Sequence, residues 1–202
     1  MNTRILTLTL ASAAVLGLAA CNNNSEPETA ATEAAPAETM AADPMVGGAS
    51  MSPNDTIVTN AAKASNLTTL VSAVQAADLA DTLSGTGPFT VFAPDNAAFE
   101  KIPAATRESL MAPAGKEDLT KILTYHVVPG RLTAADLATQ AQANGGKAEL
   151  TTVQGATLTV TPNADGSVTL TDAAGGTSTV TQADVMQSNG VVHVIDTVVM
   201  PG

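Results

Sequence analysis

The sequence predicts an α+β fold, and two observations predict it. In the first half of the folded region, apolar residues recur with helical spacing, as at Leu67, Leu70, Val71 and Val74. In the second half they alternate with Thr, as in "ATLTVTP" (156–162) and "GSVTLTD" (166–172). Helices lead and strands follow, which is the segregated α+β pattern rather than an alternating one. A chain of 202 residues has room for one domain with appendages.

Composition narrows the possibilities. Hydrophobic residues make up 45%, but Ala and Val supply much of that, with 3 Phe, 1 Tyr and no Trp. Small side chains fill a core thinly, so the few large ones carry more of it. Lys and Arg total 8 against 19 Asp and Glu, a formal charge of −11. No basic stripe is available to neutralise phosphates, which argues against nucleic acid and against electrostatic docking on anionic lipid.

The chain opens "MNTRILTLTLASAAVLGLAAC". Arg4 forms a short positive region, Ile5 to Leu16 an apolar run, and small residues lead to Cys21. The run is short for a spanning helix and reads as an export signal over residues 1–20. Leu18-Ala19-Ala20-Cys21 resembles the lipobox of bacterial lipoproteins, which implies lipidation of Cys21, membrane attachment through that lipid, and a bacterial cell-envelope location. By the same resemblance, Asn22 after the Cys favours the outer membrane and leaves periplasmic or surface orientation open. The single Cys makes no internal disulfide, so the domain must be held by its core alone.

Residues 21–54 read as an acidic tether. From 22 on, the stretch has five acidic residues, no Lys or Arg and no aromatic, so it cannot bury enough apolar area to offset ordering entropy. As a flexible coil its ends would lie roughly 30 Å apart. Met40, Met45 and Met51 lie in it without a convincing metal-binding cluster.

The folded region is expected over 55–202. "NDTIVTNAAKASNLTTLVSAVQAADLADTLSG" reads as helical, with Asn54 or Asp55 as N-cap, Ile57, Val58 and Ala61 as a first stripe, and Leu79 and Leu83 extending the second. Gly85-Thr86-Gly87-Pro88 ends it. "FTVF" (89–92) is a short buried strand between prolines, and Asp95 or Asn96 caps a helical turn holding Phe99. "PAATRESLMAP" and "GKEDLTKILTYHVV" read as two more helices, with Leu110, Met111, Leu119, Ile122 and Leu123 inward. The two Thr-alternating strands form a hairpin across Asn163-Ala164-Asp165-Gly166. "VVHVIDTVVM" is apolar on both faces and reads as a central strand.

Three segments carry a resemblance. "GPFTVFAPDNAAFEKIP", "ILTYHVVPGRL" (122–132) and "ADVMQSNGVVHVIDTVVMP" (183–201) resemble, in order and spacing, the signature blocks of the fasciclin (FAS1) domain family. The resemblance covers about residues 55–202. It implies a β-sandwich or wedge of about seven strands packed with a layer of helices from the N-terminal half. In such a domain Phe89 or Phe92, together with Phe99, would anchor helices to sheet, and the block residues Asp95, Asn96 and His193 would be structural.

The resemblance also implies a non-catalytic adhesion or interaction module with an unidentified protein or matrix partner and no cofactor. Asp184-Val185 occupies the position of a receptor-contacting pair in some members, and Tyr125 and His126 lie in the Tyr-His block linked to adhesion in relatives. Those four are candidate partner-binding residues. Each has a structural alternative: a turn or cap for Asp184, an internal hydrogen bond for Tyr125 and His126. Neither His126 nor His193 sits in a G-x-S-x-G or H-E-x-x-H context, and no metal-ligand spacing is present. The alternative function is a carrier or sensor binding a small lipid or sugar between helices and sheet.

Overall fold

The computed structural model describes residues 43–202. The signal, the lipobox and most of the tether lie outside that range.

The first described segment corrects the domain boundary. Met45–Val46 (β1) and Ala49–Ser50 (β2) pair as a two-stranded antiparallel ribbon. Val46 and Met51 are each 2% exposed and belong to the same core as the helices. Residues 45–51 are therefore part of the folded domain rather than of the tether expected to run to 54. Two apolar side chains in an otherwise polar stretch find a groove to fill, which composition alone does not reveal.

The helical stretch divides into three: α1 (Ile57–Ala61), α2 (Thr68–Ala76) and α3 (Ala80–Leu83). The N-cap of α1 is Thr56, one residue later than expected; its side chain accepts from the Thr59 N–H. Strand β3 (Phe89–Pro94) follows, then α4 (Asn96–Glu100), capped by Asp95 through the Ala98 N–H at 2.7 Å. Asn96 instead reaches α2, its Oδ1 accepting from the Thr69 N–H at 3.0 Å. Helix α5 (Ala104–Met111) buries no residue; Leu110 is half-buried and Met111 is 36% exposed, so Met111 does not face inward. Helix α6 (Lys116–Tyr125) buries Leu119, Ile122 and Leu123 as expected.

After α6 come β4 (Val127–Pro129), α7 (Ala134–Ala143), β5 (Ala148–Thr151), β6 (Thr157–Pro162), β7 (Val168–Thr171), β8 (Thr177–Gln187) and β9 (Gly190–Ile195). Sequence reading found β6, β7 and β9 but not α7. That helix is held by a capping box, Thr133 and Asp136 each satisfying the other's backbone N–H.

Seven strands form one mixed, nearly closed sheet in the order β4-β3-β9-β8-β7-β6-β5. Only β3 and β9 run parallel, and the remaining pairs are antiparallel. The two ends of the sheet approach where the Val153 N–H donates to the Val127 carbonyl at 2.8 Å. This wedge with helices is the fold class expected. Gly190 is required at the β3–β9 contact, since a Cβ there would sit 2.0 Å from the Phe89 carbonyl oxygen.

The alternation of side chains divides the interior in two. Val91 and Ala93 of β3, with Val192 and Val194 of β9, face α1–α6 and form one core. Phe92 and Ile195 point to the opposite face, into a second core with Leu137 of α7, Leu158, Val160 and Leu170. The Phe anchors between helices and sheet divide between the two cores. Phe99 and the half-buried Phe89 serve the first core, and Phe92, wholly buried, serves the second.

Candidate functional site

The residues singled out in sequence converge on the α6 C-terminus and on a bulge in β8. Tyr125 ends α6 and is 0% exposed. Its hydroxyl donates to the Thr157 carbonyl at 2.9 Å and accepts from the Ala173 N–H at 3.1 Å. It thereby ties α6 to the start of β6 and to the turn that follows β7. Burial raises the phenol pKa; the Ala173 hydrogen bond opposes this and the Asp172 charge adds to it.

His126 caps α6 and is 2% exposed. Its Nδ1 lies 2.7 Å from the Ile122 carbonyl, and its Nε2 accepts from the Val199 N–H at 3.3 Å. One tautomer satisfies both contacts: Nδ1 carries the proton and Nε2 is bare. Burial lowers the imidazole pKa to about 4, against smaller opposing effects of the Ile122 bond and the Asp172 charge.

His193 stands in the middle of β9 and is 1% exposed. It stacks on Phe92 with ring centroids 5.5 Å apart. Nε2 donates to the Leu132 carbonyl at 2.9 Å, just before α7, and Nδ1 accepts from the Asp184 N–H at 3.3 Å. Burial again lowers its pKa, opposed by the Leu132 hydrogen bond and the Asp184 charge.

Asp184 lies where the β8–β9 register shifts between Gln182 and Val185, with φ of 58°. That is the left-handed region, which Asp tolerates better than most side chains. Its carboxylate Oδ1 accepts from the Ala134 N–H at 2.7 Å, so Asp184 supplies a second cap to α7 beside Thr133. Its side chain is exposed, whereas Val185 is 1% exposed and packs in the first core.

Three of the four candidate partner-binding residues are thus interior. Tyr125, His126 and Val185 do not reach the surface, and only Asp184 does. Every ring nitrogen of the two histidines is engaged by a main-chain group, so neither is placed to accept a substrate proton. Among the described residues, no group of three or more His, Cys, Asp and Glu could hold a metal ion.

Sequence reading missed one residue and foresaw only the general place of a second feature, between helices and sheet. Asn189 is 7% exposed and makes three main-chain bonds: Oδ1 accepts from Ile57 N–H at 3.0 Å, and Nδ2 donates to the Leu83 and Gly85 carbonyls at 2.8 and 2.9 Å. The Ser188-Asn189-Gly190 turn was its only signal. The second is an apolar cleft between α1–α2 and the sheet, lined by Val46, Leu70, Val74, Val91, Val192 and the buried Asn60 among others.

Known proteins agree with this architecture. The fasciclin domain family model matches residues 65–201. The chain is 42% identical over 164 residues to protein sll1483 of Synechocystis, covering 81% of this chain and 83% of that one. It is 36% identical over 162 residues to the immunogenic protein MPT70 of Mycobacterium tuberculosis, covering 80% and 71%. To the cell surface glycolipoprotein MPB83 of Mycobacterium bovis it is 35% identical over 162 residues, covering 80% and 62%. A solved FAS1 domain pair from the insect cell adhesion molecule Fasciclin I superposes with a TM-score of 0.64 at 21% identity, covering 71% of this chain and half of that one. With the three signature blocks folded as one wedge and the family model spanning most of the chain, this protein belongs to the fasciclin domain family.

Proposed function

We propose that this protein is a lipid-anchored, non-catalytic interaction module of the bacterial cell envelope that binds a protein or matrix partner. The observation that carries the reading is its similarity, over four-fifths of the chain, to a relative named a cell surface glycolipoprotein. The lipobox-like Leu18-Ala19-Ala20-Cys21 supports it, since acylation of Cys21 would tether the domain from its N-terminal side. The engagement of both histidines by main-chain groups supports the non-catalytic part.

The partner contact centres on Asp184. It is the exposed member of the four candidates, it is held in an uncommon backbone conformation, and it stands at a sheet bulge, where side chains are often re-aimed outward. Weak single contacts on a tethered domain gain strength when many copies share a surface.

The test is protease accessibility of the native protein on intact and permeabilised cells, with a Cys21→Ala variant beside it. Digestion on intact cells, lost from the cell fraction in Cys21→Ala, agrees with a surface module. Protection until permeabilisation removes direct cell–cell adhesion. Retention of Cys21→Ala in the membrane fraction removes the lipid anchor.

A further inference from the structure

The sequence holds two Asn-Gly pairs, Asn144-Gly145 and Asn189-Gly190, and the fold treats them in opposite ways. A following glycine has no Cβ, so its main-chain nitrogen is free to approach the carbonyl carbon of the Asn side chain. That approach closes a five-membered ring within the chain and needs no encounter between molecules.

Asn189 is withheld from this reaction. Its buried amide accepts from the Ile57 N–H and donates to the Leu83 and Gly85 carbonyls. Turning its Cγ toward the Gly190 nitrogen would break all three bonds. The related pair Asp165-Gly166 is guarded differently. Asp165 Oδ1 accepts from the Ser167 N–H and Oγ at 2.9 and 2.7 Å, which keeps it an ionised carboxylate and a poor electrophile. The Gly166 N–H is itself engaged, donating to the Asn163 carbonyl at 3.1 Å.

Asn144 has none of these restraints. It is the C-cap of α7, and residues 142–147 are all exposed. Its own N–H donates to the Ala141 carbonyl at 3.1 Å, but among the described residues no hydrogen bond holds its side-chain amide or the Gly145 N–H. Gly145 and Gly146 have φ of 71° and 94°, with open space where a Cβ would stand. The Gly146 N–H donates to the same Ala141 carbonyl at 2.7 Å. The turn is thus pinned on either side of a free Asn-Gly linkage.

We propose that Asn144 is a site of spontaneous deamidation through a cyclic imide, with water as the co-reactant. The Gly145 N–H gives its proton to hydroxide, and its nitrogen bonds to Asn144 Cγ. The Cγ–Nδ2 bond breaks, and the leaving nitrogen takes a proton from water and departs as ammonia. Water then opens the ring. Breaking the new N–Cγ bond leaves aspartate at 144. Breaking the bond from that nitrogen to the main-chain carbonyl carbon leaves isoaspartate, with the chain now running through the side-chain carbons. Either product adds a negative charge at the C-terminal end of α7, where the helix dipole disfavours it. Isoaspartate also lengthens the main chain between Ala141 and Gly146, whose hydrogen bond closes the helix. Helix α7 therefore ages from its C-terminal end, while Thr133 and Asp184 hold the other. This role is independent of the partner contact at Asp184.

The experiment incubates the full chain carrying Cys21→Ser at pH 8, folded and in urea, and follows both Asn-Gly sites by peptide mapping with mass spectrometry. In the folded chain Asn144 should convert at least about a hundredfold faster than Asn189, which reacts only when its region opens. In urea the two rates should come within a few-fold of each other. Aspartate and isoaspartate should both form at 144, since one ring gives both. Asn144→Gln should remove the acidic charge variant that builds up in the folded parent. An Asn144 that stays intact, equal rates at the two sites in the folded chain, or aspartate alone as product would each overturn the proposal. Should Asn144→Gln fail to fold, the two rates and the products in the parent chain decide the matter.

Discussion

The backbone N–H of Asp184 donates to Nδ1 of His193 at 3.3 Å, while the carboxylate of the same Asp184 accepts from Ala134 N–H at 2.7 Å. His193 Nε2 in turn holds the Leu132 carbonyl at 2.9 Å. Two side chains on neighbouring strands thus grip both sides of the entry to α7, and the bulge in β8 exists where that grip is made.

From this follows a ranking at Asp184. Asp184→Ala removes a cap and places a Cβ-bearing residue without Asp's local hydrogen bonding at φ of 58°. It should cost about 1–2 kcal/mol in urea unfolding. Asp184→Asn, which keeps an acceptor and tolerates the backbone, should cost less than half of that. Asp184→Gly should fall between them, since it relieves φ and loses the cap. Were Ala and Asn equally mild, the cap would be of no consequence and the carboxylate free for a partner.

Acid should weaken the fold through its histidines before its carboxylates. The folded pKa of His126 is lowered from 6.5 to about 4 by burial, and that of His193 moves the same way. The unfolded chain therefore binds protons that the folded chain refuses. The stability is full above pH 6.5 and is lost as pH falls from 6.5 toward 4. For His126 alone the loss approaches about 3 kcal/mol. Asp136, Asp165 and Asp196 have lowered pKa values, so their contributions fade only below the usual carboxylate range. Unfolding midpoints measured from pH 7.5 to 4 should fall steeply in the parent and less steeply in His126→Gln. A flat parent profile would contradict the buried neutral imidazole.

Asn189→Ala strips one amide that serves α1, α3 and the β8–β9 turn together. It leaves the Ile57 N–H and the Leu83 and Gly85 carbonyls without that partner. The expected loss is about 2–4 kcal/mol, read as a shift in the urea midpoint at unchanged slope. Protection of the Ile57 amide from hydrogen exchange should fall at the same time. A loss under about 0.5 kcal/mol, the range of an ordinary surface substitution, would show that water replaces all three bonds.

Phe92→Ala should cost about 3–5 kcal/mol. Phe92 is 0% exposed, stacks on His193, and is the only Phe of the second core. Phe89→Ala should cost clearly less, because Phe89 is half-buried at the edge of the first core. Thermal melts of the two variants side by side check the ordering; equal losses would refute the assignment of Phe92 to a separate core.

Local pattern was enough for much of this fold. The spacing of Leu119, Ile122 and Leu123 marks α6, and the Thr alternation marks β6 and β7, because each signal lies within the element it describes. Helix α7 was harder: its stretch "AADLATQAQA" buries only Leu137 and Ala141, too sparse a stripe to stand out. The N-terminal ribbon was illegible for the opposite reason. Val46 and Met51 look like strays in a polar segment until the groove they fill is present.

By itself the sequence determined the α+β class, the family and the order of the blocks. It also carries a pattern like that of an export signal over residues 1–20 and a lipobox-like Leu18-Ala19-Ala20-Cys21, since both rest on short-range pattern and residue type. Only the tertiary structure decided which block residues face outward. Tyr125, His126, Asp184 and Val185 are equally plausible contacts in one dimension, yet the wedge buries three and presents one. The apolar cleft that the buried Asn60 helps to line is likewise a property of packing. Burial depends on what lies across the core, and no stretch of chain carries that information about its distant neighbours.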